Sequence, residues 1–252
     1  MPETLNNALA LQGLGLLLAT FGVAGLVRGF TGFGTALIAV PIANIYMPAK
    51  DVIAIVALTG IASNAIILPR ALRQSDLPEV GLLVLFTFAT VPIGLWLLDY
   101  IDGITVRWMI TFVAGGMLCA LVSGWRYSGT VKAMGLLTVG AAAGLVGGIT
   151  GLSGPVVILF YLAGKSAVRT VRANTIVFLA SFDFVVIAYL LAVGDLTGLL
   201  ILLACMMAIP YGIMTLVGQI LFDERCERIY RFASYFIIAL AVISGLPLWE
   251  SG

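Results

Sequence analysis

Two glycine clusters carry the residues best placed to do chemistry in this chain. The first reads Gly29-Phe30-Thr31-Gly32-Phe33-Gly34, and the second Gly147-Gly148-Ile149-Thr150-Gly151-Leu152-Ser153-Gly154-Pro155. Glycine permits backbone conformations that other residues avoid, and it lets helices approach closely. Each cluster is expected to end one helix and begin another, with Pro155 in a first turn, where its missing N–H costs nothing. A helix N-terminus exposes unpaired N–H groups and a partial positive charge. Two such ends facing one another, with the hydroxyls of Thr31, Thr150 and Ser153 beside them, would hold a small anion. The candidates on this reading are Gly29, Thr31, Gly32, Phe33, Gly34, Thr150, Gly151, Ser153 and Gly154. The plainer reading gives the glycines no task beyond tight helix packing.

Four polar residues in or beside apolar stretches extend the set. Asp183 falls near the middle of the stretch 170–193. An ionised aspartate at mid-membrane depth costs about 2.5–3.5 kcal/mol on insertion scales, so such residues face a bundle interior. It could carry a coupling proton, or it could hydrogen-bond a neighbouring helix. Arg28, beside the first cluster, could hold an oxyanion through charge-assisted bonds, or snorkel to the headgroups. Asn64 and Asn174 complete the binding candidates, while Arg172 reads as a topology anchor. Tyr161, Trp96 and Tyr211 read as packing or interfacial aromatics.

Other chemistries lack their residues. The chain has no histidine, the commonest general base and metal ligand. Cys119, Cys205 and Cys226 are far apart and form no CxxC pair, which argues against a disulfide framework or a zinc site. A net charge of +1 offers no basic stripe for nucleic acid. No GxxxxGK[ST] phosphate loop is present, and no nucleophile–base pair suggests an enzyme. No cofactor is called for.

The elements that must position these residues are membrane helices. Hydrophobic residues make up 62% of the 252, and charged ones 10%, against about 25% charged in soluble domains. Lipid must therefore be the solvent. Apolar segments fall near 8–28, 31–47, 51–69, 79–98, 104–125, 131–147, 152–164, 170–193, 197–220 and 228–247. Segments 31–47 and 152–164 are short for a crossing, and each follows a glycine cluster, so each could begin inside the membrane. No basic region precedes the first apolar stretch, so Ala8 onward reads as a retained helix rather than a signal peptide.

A duplication organises these segments. Gly25 to Phe33 aligns with Gly144 to Leu152 at an offset of 119 residues, and at that offset Lys50 meets Arg169 and Asn64 meets Asp183. Pro92-Ile93-Gly94 aligns with Pro210-Tyr211-Gly212 after a slip of one residue, and Asp102 and Arg107 align with Asp223 and Arg228. The repeats run 8–125 and 131–247, with five apolar segments in each. An odd number makes the second half enter from the opposite side. The expected fold is thus an all-α integral membrane protein of two inverted repeats, with Gly-rich broken helices or re-entrant hairpins at its centre, as in many secondary transporters.

Charge sets the orientation. With alternating segments, Arg70, Arg73, Arg126, Lys132, Lys165, Arg169, Arg172, Arg225, Arg228 and Arg231 share one side, and Lys50 and Arg107 the other. The basic side is read as cytoplasmic, which puts the connections 70–78, 126–130 and 222–227 there and both termini in the periplasm.

The sequence resembles the TauE/SafE family of sulfite and organosulfonate exporters. The resemblance rests on both glycine motifs, on Gly151-Leu152-Ser153-Gly154-Pro155 followed by Tyr161, on Val171-Arg172-Ala173-Asn174, and on the two-repeat layout. The first motif departs from the family's more glycine-rich pattern at Phe30, Phe33 and Thr35. The resemblance implies export of a small sulfur-containing or organic anion, such as sulfite or a sulfoacetate-like sulfonate, across the bacterial inner membrane. An anion channel using the same helix ends, or a carrier of another small solute, is the alternative. The partners expected are that anion, the lipid bilayer and, for a homo-oligomer, further copies of the chain, with no nucleic acid.

Overall fold

The computed structural model describes residues 2–123, 133–163, 168–221 and 227–250. Eleven helices follow one another among the described residues: α1 (Pro2–Leu9), α2 (Leu14–Thr31), α3 (Thr35–Ala43), α4 (Ala49–Leu72), α5 (Leu77–Leu98), α6 (Gly103–Val122), α7 (Ala133–Thr150), α8 (Gly154–Ala163), α9 (Val168–Val193), α10 (Gly198–Ile220) and α11 (Glu227–Ser244). Six of them (α2, α4, α5, α6, α9 and α10) contain stretches long and apolar enough to cross a membrane. The chain is a multi-pass membrane protein. Phe112, Ile220 and Phe232 are 71%, 72% and 79% exposed, a surface that only lipid would tolerate. Cys119 and Cys205 are free thiols, and Cys226 lies outside the described residues.

Three boundaries depart from the apolar segments. The first segment is two helices, because Gly13 adopts φ 77° between α1 and α2. Segments 31–47 and 152–164 hold only 9 and 10 helical residues. At 1.5 Å per residue these are about 14–15 Å long, half a hydrocarbon core. Neither α3 nor the described length of α8 is long enough to cross such a core. A Cβ on Gly13 would lie 2.6 Å from the Tyr46 ring, so the start of α2 and the finish of α3 share one end of the bundle and α3 doubles back.

Glycine decides how the long helices pair. In α2, a Cβ on Gly25 would strike the Tyr211 carbonyl of α10, and one on Gly29 would strike the Thr215 carbonyl. In α7, a Cβ on Gly144 would strike the Thr90 hydroxyl of α5 and lie 3.0 Å from the Thr87 backbone, and one on Gly148 would lie 2.7 Å from the Val91 carbonyl and 2.8 Å from the Gly94 Cα. Helix backbones this close are what small residues permit in a membrane. The register makes Tyr211, Thr215 and Gly218 the counterparts of Thr87, Val91 and Gly94. The aligned Pro210-Tyr211-Gly212 triplet differs from this register: Gly212 faces Ala62, and Gly218 occupies the backbone contact. Both pairs run parallel, α2 and α10 from one end of the bundle and α5 and α7 from the other.

Polar clasps mark these two ends. At one, Lys50 Nζ bridges Asp99 at 2.7 Å and Asp195 at 2.6 Å. Nearby, the Thr105 N–H and hydroxyl bind the Asp102 carboxylate and hold it below its usual range. At the other, Arg169 Nε donates to Gln74 Oε1 at 3.0 Å and the Asp76 N–H donates to Asn174 Oδ1 at 2.8 Å. Lys50 thus lies at the opposite end of the bundle from Arg169. Arg126, Lys132, Lys165 and Arg225 of the basic set lie outside the described residues, as do the 126–130 connection and residues 222–226.

Candidate functional site

Both glycine clusters break a helix in the same way. Helix α2 stops at Thr31, where Gly32 (φ 81°) donates its N–H to the Arg28 carbonyl at 2.8 Å, and Gly34 (φ 101°) precedes α3. Helix α7 stops at Thr150, where Gly151 (φ 75°) donates to the Gly147 carbonyl at 2.7 Å. Only glycine adopts this left-handed backbone without strain. The Thr31 hydroxyl lies 2.8 Å from the Val27 carbonyl and accepts the Phe33 N–H at 3.2 Å. Its counterpart on Thr150 donates to Val146 at 2.7 Å and accepts the Leu152 N–H at 3.2 Å. Both threonines shape the turns.

The two new helices start at one cavity. Gly34, Thr35, Ala36 and Leu37 from α3 and Ser153, Gly154 and Pro155 from α8 line it, with Phe33, Ile53, Ile158, Leu179 and Phe182 as apolar walls. Its free space is about 40 Å³. Roughly 10–15 Å³ of such space holds one water, so a few waters or one small oxyanion would fill it. From here α3 runs to the Lys50 end, where Asn44 and Pro48 meet Arg107. Helix α8 runs the other way, bringing Tyr161 beside Glu79 and Asn174. N–H groups of both first turns have no partner within their helices.

Three polar side chains complete the lining: Arg28, Asp183 and Tyr211. Arg28 is only 4% exposed, so it does not snorkel. Its Nη2 donates to Asn64 Oδ1 at 3.0 Å, and Asn64 Nδ2 donates to Asp183 Oδ2 at 3.2 Å. The Arg28 Nε is buried without a hydrogen-bond partner. An unsatisfied buried donor costs about 1–3 kcal/mol, more when charged. The Tyr211 hydroxyl lies 2.8 Å from Thr35 Oγ1 and donates to Ser63 Oγ at 3.2 Å, while Ser63 donates to the Gly60 carbonyl at 3.0 Å. A hydroxyl has one proton, so this chain points from Thr35 through Tyr211 and Ser63 to Gly60.

Of the residues singled out in the sequence, Arg28, Phe33, Gly34, Gly151, Ser153, Gly154 and Asp183 line the cavity. The others stand elsewhere. Gly29 lies in the α2–α10 contact, and its carbonyl accepts Arg172 Nη2 at 2.8 Å. Gly32 packs against Arg172 and Ile176. Thr31 and Thr150 shape the breaks, Asn64 joins Arg28 to Asp183 from behind, and Asn174 belongs to the basic end. Thr35, Ser63 and Tyr211 were not foreseen. The available signal was a tyrosine in mid-helix, since interfacial aromatics sit at helix ends. Trp96 is such a residue, 52% exposed with its ring 4.8 Å from that of Tyr100.

Among the described residues, no group of three acidic, cysteine or histidine side chains is placed to hold a metal. A family model described as sulfite exporter TauE/SafE matches residues 17–244 of the chain. No curated protein and no solved structure matches it.

Proposed function

The chain belongs to the sulfite exporter TauE/SafE family, and on that premise we propose that it moves a small sulfur oxyanion, sulfite or a short sulfonate, outward across the bacterial inner membrane by alternating access. The observation that carries this reading is the meeting of two helix N-termini at one cavity with the unpaired Nε of the buried Arg28. Oriented N–H groups and a guanidinium are what an oxyanion needs once it leaves water.

Alternating access is supported by the opposite courses of α3 and α8 and by polar clasps at both ends of the bundle. The halves 8–125 and 131–247 are read as inverted repeats. The two glycine contacts that start from opposite ends favour this. The basic end is read as cytoplasmic, with both termini in the periplasm. Asp183 is the group read as carrying a coupling proton.

Transport by purified protein in proteoliposomes tests the reading. Arg28→Ala is expected to lower sulfite or methanesulfonate exchange by about a hundredfold, because losing one partner of a buried charged contact costs about 2–5 kcal/mol. Wild-type exchange rates in that variant would remove Arg28 from the site.

A further inference from the structure

We infer that this site selects singly charged oxyanions and rejects doubly charged ones, and that Asp183 sets the limit. The inference rests on the anion reading of the cavity and adds the charge class of the ligand. Two ionisable side chains of opposite sign, Arg28 and Asp183, line the cavity. An arginine and an aspartate inside one cavity would ordinarily close into a bidentate pair. Here they do not. No ion pair joins Arg28 to Asp183, and Asn64 stands between them, accepting from the first and donating to the second. The amide therefore holds the two charges near each other without letting them pair.

Counting charge gives the selectivity. Arg28 and Asp183 cancel, and each helix N-terminus contributes roughly half a positive charge. The two ends together offer about one positive charge, which a monoanion balances. A dianion would leave one negative charge uncompensated beside the Asp183 carboxylate, where the low dielectric enlarges the repulsion. Asp183 is also held in place. A Cβ on Gly60 would collide with its Oδ2, so the carboxylate rests directly on the α4 backbone. The ligands that satisfy the count are hydrogensulfite and short sulfonates with no second acidic group, and sulfate, the sulfite dianion and carboxylated sulfonates fail it.

Methanesulfonate and sulfate are a matched pair of tetrahedral probes, differing by a methyl group in place of one charged oxygen. Binding of each to the purified full-length protein in nanodiscs, in mildly alkaline buffer, is read by calorimetry or thermal shift. Methanesulfonate is expected to bind at least about tenfold more tightly than sulfate. Asp183→Asn is expected to bring sulfate to within about threefold of methanesulfonate, while Asp183→Glu keeps the preference. Equal binding of both probes by the wild type overturns the inference and leaves the anion site standing, with no variant required. An unchanged ratio in a folded Asp183→Asn protein does the same. Binding of neither probe overturns the anion site itself and the inference with it.

Discussion

The two glycine breaks share a backbone and differ in chemistry. Each ends on a threonine whose hydroxyl bridges the carbonyl four residues back and the N–H two residues on. Yet Arg28 of the first corresponds to Gly147 of the second, and Asn64 of α4 corresponds to Asp183 of α9. Packing explains why the cation sits on one side only. A Cβ on Gly147 would lie 2.6 Å from the Phe182 ring and 2.7 Å from Ser153 Cβ. No side chain fits there. The two breaks share a turn, and only the first has room for a long charged side chain, so the cavity between them is lopsided.

The largest effect should come from forcing the copies to match. Gly147→Arg is expected to abolish the folded protein, seen as loss of a monodisperse peak after extraction, while Gly147→Ala should destabilise by about 1–3 kcal/mol through overpacking. Wild-type thermal stability in Gly147→Ala would show that Phe182 yields easily.

Asp183→Asn comes next. The amide keeps the size and hydrogen-bonding reach of the carboxylate and cannot titrate. The expectation is that substrate exchange across proteoliposomes continues while transport driven by a pH gradient is lost. Full gradient-driven transport by the variant would make Asp183 a structural partner of Asn64.

The smallest effects compare like with like inside the second break. Gly151 has a left-handed backbone and Gly154 does not. Gly151→Ala should lower stability by about 1–2 kcal/mol. A Cβ on Gly154 would find its nearest neighbour at 3.6 Å, and its counterpart in the first break is Thr35, so Gly154→Ala should keep both fold and exchange. A thermal unfolding midpoint shifted equally by the two would show that backbone conformation does not distinguish them.

Much of this was legible in the sequence because glycine clusters and intramembrane charges are rare events with few explanations. Both breaks and the depth of Asp183 fall in that class. Facing was harder to read. In a lipid-solvated helix the apolar residues on both sides look alike: Phe21 of α2 is fully buried while Leu16 is 50% exposed. Hence the register of the glycine contacts escaped: the aligned triplets set Gly94 beside Gly212, whereas the backbone contact that matches Gly94 is made by Gly218. Tyr211 escaped for a related reason. Its partners Thr35 and Ser63 are far from it in the chain, and only the fold brings the three hydroxyls together.

The parallel glycine-packed pairs, α2 with α10 and α5 with α7, bear on how the protein is made. Helix α2 leaves the ribosome long before α10, and until α10 is inserted the glycine face of α2 has only lipid against it. The same wait, though shorter, applies to α5 and α7. Each close pair joins an element of the first half to one of the second, so neither half is a self-contained folding unit. A nascent chain stopped after residue 123 would hold α1 to α6 and neither of the closest interfaces. Completion of the fold is therefore a late event in synthesis, and premature termination should leave a fragment destined for membrane proteases.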